Sequence, residues 1–171
     1  MALSATLTAK LEATQSGPND FGGSFSPTVF KIVSLQNGTT AGLADMLFTD
    51  VRTVASASND DIDLTGVLTD AFGTAFNAAE IVSIIIINGP VSGTANTTDL
   101  TVGAATNPFI GFLGGTTPTI GPLKPGAFFF IGAGDAAGIG AVAAGTGDIL
   151  RIANSSGASA TYQIGIVARS A

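Results

Sequence analysis

Chemistry in this chain would have to proceed without histidine or cysteine, since it contains neither. That removes imidazole bases, thiolate nucleophiles and disulfides, together with the usual ligands of zinc, copper and iron. A serine nucleophile would need Lys10, Lys31 or Lys124 as its base, and no Gly-x-Ser-x-Gly motif marks such a serine. The densest acidic run, Asn59-Asp60-Asp61-Ile62-Asp63, offers oxygen ligands to a hard cation such as calcium. It lacks the central glycine and closing glutamate of a calcium-binding loop, so a solvated loop or the entry to a strand is expected there instead. Paired acids for glycoside hydrolysis would want an aromatic platform for the sugar, and the chain has no Trp and one Tyr. The run Gly132 to Gly138, GAGDAAG, approximates a dinucleotide loop, but its third glycine falls one residue late and no convincing helix follows. No catalytic residue, metal ligand or cofactor is assigned, and the chain is expected not to be an enzyme.

The elements that would position any site are those of an all-β domain. A chain of 171 residues is long enough to bury one core without disulfides or metals. Residues 2 to 14 alternate Leu3, Ala5, Leu7, Ala9 and Leu11 with polar neighbours, the period of a half-buried strand. Residues 15 to 27, QSGPNDFGGSFSP, are too rich in Gly, Pro, Asn and Ser for a regular element and read as a loop, or as an arm that orders on a partner. Thr28 to Gln36 reads as a strand ending in the turn Asn37-Gly38. Leu43 to Ser56 fits one long strand or two with a bend, with a helix the lesser option; a short helix near Thr69 to Ala79 is compatible with Asp70 as its cap, against Gly73 in its middle. Further strands are expected at Glu80 to Asn88, Asp99 to Gly103, Pro108 to Leu113, Ala127 to Ile131, Asp148 to Ala153 and Thr161 to Ala168, the last two forming a hairpin through Ser155-Ser156-Gly157. The fold class expected is therefore an antiparallel β-sandwich or jelly roll with at most one short helix. Residues 1–42 make an N-terminal strand or strands with a Gly/Pro-rich arm or loop, and residues 43–171 the sandwich.

Composition narrows the partners. Six basic residues against 12 acidic ones, a net charge of −6, leave no phosphate-neutralising surface, so nucleic acid is set aside. The N-terminal residues lack the basic start and continuous apolar core of a signal peptide, so export by that route is not expected. Ile81 to Ile87 is far shorter than the ~20 residues of a membrane helix, so a strand and not a membrane span is expected. Charged residues are 11% while hydrophobic ones are 46%, with a mean hydropathy of +0.50, a balance that suggests a surface covered partly by something other than water.

Two strands sharpen that expectation. In Phe128-Phe129-Phe130 the outer two side chains point one way and the middle one the other, so a single core cannot take all three. Ile84, Ile85, Ile86 and Ile87 pose the same question. Either a long loop of the same chain covers the second face or a neighbouring subunit does, and these seven residues are the subunit-interface candidates.

The strand with DIDLTG, the two-sided isoleucine strand, the LKPGAFFFIG turn and strand, and the closing GDILRIANSSGASATYQIGIVAR together resemble virion structural proteins of tailed bacteriophages. The likeness is greatest to capsid decoration (cement) proteins of jelly-roll or β-sandwich fold, over residues 43 to 171. It implies a homotrimer on the outside of an icosahedral head, clamping neighbouring copies of the major capsid protein, with no catalytic residue to carry over and no membrane or nucleic-acid partner. A tail, fibre or head-spike component, and a carbohydrate-binding β-sandwich module, are the other roles this β-rich composition admits.

Overall fold

The computed structural model describes residues 2–17 and 22–170; residues 18–21 of the Gly/Pro-rich stretch lie outside that range. The chain is all-β and antiparallel, 52% strand, with no helix among the described residues. In chain order the strands are β1 (Ala5–Glu12), β2 (Gln15–Ser16), β3 (Ser24–Phe25), β4 (Thr28–Leu35), β5 (Met46–Val54), β6 (Asn59–Asp63), β7 (Thr65–Thr69) and β8 (Ala75–Asn77). They continue as β9 (Glu80–Ile87), β10 (Leu100–Gly103), β11 (Thr119–Leu123), β12 (Phe128–Gly132), β13 (Gly140–Ala141), β14 (Ile149–Asn154) and β15 (Ala160–Arg169).

Two sheets face each other. One has the order β12-β9-β15-β5, with β13 also on β9; the other has the order β11-β10-β14-β6. Alternation along each strand sends one set of side chains between them. Phe48, Ile84, Ile86, Tyr162, Ile164 and Ile166 come from the first sheet and meet Ile62, Leu100, Val102, Leu150 and Ile152 from the second in one buried cluster. A separate two-stranded ribbon, β1 with β4, and its small extension, β2 with β3, stand outside this sandwich.

Several local expectations are corrected. The segment near Thr69 to Ala79 is a hairpin of β7 and β8 and not a helix: Asp70 Oδ1 accepts from the N–H groups of Phe72 and Thr74, both at 2.8 Å, and Gly73 has φ +80°. Asp70 therefore caps a turn. The strand expected at Pro108 to Leu113 is a single bridge from Pro108 to Ile149 followed by a turn, whose Phe112 ring stacks on Phe129 with centroids 5.6 Å apart. No strand is expected from the sequence at β11, which carries Gly121 and Pro122; the strand tolerates proline as a sheet edge, where one side of its backbone goes unpaired. The last two long strands do not form a hairpin. β14 pairs with β10 and β6, while β15 pairs with β5 and β9, so Ser155 to Ser159 carries the chain from one sheet to the other. Asn154, buried at that corner, donates through Nδ2 to the carbonyls of Val54, Ala55 and Ala158.

Candidate functional site

The isoleucine and phenylalanine strands lie side by side, with Phe128 opposite Ile87, Phe129 opposite Ile86 and Phe130 opposite Ile85. Register then divides the seven candidate residues. Ile84 and Ile86 are fully buried and Phe129 packs against the same core, so these three are interior residues. Phe128, Phe130, Ile85 and Ile87 belong to the opposite, outward face. Leu47, Thr49 and Val51 of β5, Ser83 of β9, and Gln163, Gly165 and Val167 of β15 share that face through the same pairings. None of these outward residues carries a charge. On a chain with net charge −6, an open stretch of sheet face with no ionised group, beyond the buried Arg169–Glu80 pair at its covered end, is the feature that most needs a physical account, since exposed sheet faces ordinarily alternate to polar residues.

The ribbon of β1 and β4 covers part of it. Ala5 with Leu35, Leu7 with Val33, Ala9 with Lys31 and Leu11 with Val29 share one ribbon face. At the base, Leu3, Ala5, Leu7, Val33 and Leu35 pack on Ala44, Val82 and Val167. Two glycines permit the close seat. A methyl group on Gly132 would come within 2.9 Å of Leu7 Cδ1, and one on Gly134 within 2.7 Å of Val33 Cγ1. Hydrogen bonds from Gly42 N–H to the Gly134 carbonyl (2.7 Å) and from Leu3 N–H to Asn37 Oδ1 (2.9 Å) fix the base further.

Beyond that base the ribbon and the sheet part company. Leu11 and Val29 on one ribbon face, and Phe30 and Ile32 on the other, are exposed, as is Phe25 of β3. Across from them Phe128 is 70% exposed, and Ile85 and Leu47 are open as well. The space between is a groove of about 900 Å³, whose floor is Leu47, Thr49, Ser83, Ile85, Phe128, Phe130 and Gly165 and whose upper wall is the outer ribbon. Among the described residues, the charged ones that line it are the ribbon's Lys10 and Lys31. A second hollow of about 290 Å³ continues past Leu47 and Thr49 to Leu3 and the Phe72 hairpin tip, where Phe72 is 79% exposed. The covering chain segment anticipated for the second face thus exists and covers only part of it.

The acidic run is committed elsewhere. Asp60 takes a two-pronged bond from Arg52 (Nε to Oδ2 2.7 Å, Nη2 to Oδ1 2.8 Å) and a third from Tyr162 Oη at 2.8 Å. Arg52 above all, with Tyr162 adding to it against the cost of burial, holds the Asp60 carboxyl below the usual carboxylate range. Burial first, then the bond to Asp60, raises the Tyr162 phenol. Asp61 is gripped likewise by Arg151, at 2.6 and 2.7 Å, and is also lowered by it. Asp63 Oδ1 accepts from the N–H and hydroxyl of Thr65. These carboxylates are strand residues of β6 that tie sheets and turns together, and no group of three or more metal-binding side chains occurs among the described residues.

The glycine-rich loop after β12 also finds its use. Arg169, fully buried, donates to the carbonyls of Asp135 (2.7 Å), Ala136 (3.0 Å) and Leu43 (2.9 Å) and pairs with Glu80 at 2.9 Å. Sequence reasoning missed this residue. An arginine at the end of an otherwise apolar closing strand was the available signal.

Compared with known proteins, the chain matches no family model, no curated protein and no solved structure closely enough to indicate a relationship.

Proposed function

We propose that this chain is a non-enzymatic structural protein of a virus particle, a capsid decoration protein that binds the outside of an icosahedral phage head and bridges major capsid subunits, with homotrimers as its working unit. The observation that supports this reading is the outward face of the β12-β9-β15-β5 sheet, largely apolar and uncharged over its open part and only partly covered by the chain's own ribbon. Such a face is stable in water only at a cost of roughly 25 cal/mol for each Å² left wet, which association would recover. The resemblance of residues 43 to 171 to decoration proteins supplies the particular assembly. A protein that binds the assembled shell and not dispersed subunits stabilises it by mass action at many equivalent sites. The ionised groups fit this role, since all three arginines are held in ion pairs within the chain.

Cryo-electron microscopy of phage heads carrying the chain, with copies counted, tests the proposal. Decoration predicts copies in the hundreds in threefold clusters on the outer shell. A few copies at a tail or spike would make it a fibre or spike component, and absence from particles would overturn the reading.

A further inference from the structure

We propose that the open groove is filled by the outer ribbon of a second copy of this chain, so that copies exchange arms. The inference deepens the assembly reading and rests on it. Its basis is that one contact is half made. At the ribbon base, the face bearing Leu7 and Val33 already lies on the uncharged sheet. The same face runs on past Ala9 and Lys31 to Leu11 and Val29, and the same sheet face runs on through Ile85 and Phe128, yet within one copy these continuations do not cover each other. Each surface is the chemical complement of the other, and a second copy supplies both.

Two further features select the ribbon over other occupants. The groove is lined largely by apolar side chains, and the outer ribbon exposes apolar side chains on both sides, Leu11 and Val29 beside Lys31 on one and Phe30 and Ile32 beside Lys10 on the other. Charge also favours it: β1 and β4 carry Lys10 and Lys31 against Glu12, a local excess of one positive charge on a chain whose net charge is −6. Two copies meeting body to body repel, whereas an arm meeting a body does not.

The absence of cysteine allows a direct test on the full chain. Leu11→Cys and Phe128→Cys, both at exposed positions, are purified separately, mixed and oxidised, and the double variant is oxidised when dilute. Arm exchange predicts a disulfide-linked heterodimer from the mixture, forming at least tenfold faster than either homodimer, and linked multimers from the double variant. A link that closes within one chain, or no heterodimer above the rate of chance collision, overturns it. Binding of the same variants to phage heads is scored in parallel. Head binding without cross-linking removes the exchange and leaves the decoration reading standing; cross-linking without head binding does the reverse.

Discussion

At the scale of single residues, the charged groups of this protein act as internal fasteners. Asp60 is ionised in the fold below its ordinary value of 3.8 because Arg52 and Tyr162 bond its charged form. A carboxyl lowered on folding adds stability that is present above the unfolded value and lost as pH falls through the folded one. Thermal melts should therefore fall in acid below about pH 4, and Asp60→Asn should flatten that fall while lowering stability at neutral pH. Tyr162 has the opposite sense. Its phenol is raised above 10.0 on folding, so stability should also decline in alkali above about pH 10 and should do so less in Tyr162→Phe. A second prediction concerns Arg169. Replacing it by leucine strands Glu80 and three inward carbonyls, and should cost about 3 kcal/mol or more in urea unfolding, against less than about 1 kcal/mol for the exposed Lys124→Ala.

At the scale of elements, the decisive relation is the seating of the ribbon on the sheet. Gly132→Val should force Leu7 off its seat, because the added carbons would occupy the space of Leu7 Cδ1 and Ser83 Cβ. Limited proteolysis should then release the N-terminal ribbon at least tenfold faster, while the sandwich resists as before; unchanged cleavage would show that the ribbon is held by something else. Much at this scale was legible in the sequence. The run EIVSIIII announces β9 through its branched residues and its two-sided apolarity, and the period of two in ALSATLTAKLEA announces β1. Pairing partners were not legible. β14 and β15 each turn one apolar row inward, and a short serine-rich connection serves a hairpin or a crossing between sheets equally well. The outcome is decided by Ile152 and Ile164 packing in one interior from opposite sheets, which only the assembled core fixes. The site was half legible for a similar reason. Alternation shows that Phe128 and Phe129 must part, but which of them faces out depends on where the second sheet lies.

At the scale of the whole molecule, the account rests on the contrast between the two faces of one sheet. Ile84 and Ile85 are neighbours in sequence with opposite tasks. Ile84→Ala empties a site in a closed core and should cost about 3 kcal/mol of unfolding free energy whatever the state of association. Ile85→Ser with Phe128→Ser touches only the outward face and should leave the single chain about as stable as before. The most direct measurement is therefore the mass in solution, by light scattering on eluting peaks, of the parent chain and of the Ile85→Ser, Phe128→Ser variant. The account predicts an oligomer for the parent and a folded monomer for the variant, with intrinsic melting temperatures within about 2 °C once association is allowed for. A parent chain that elutes as a monodisperse monomer at high concentration, with the same mass as the variant, would contradict it.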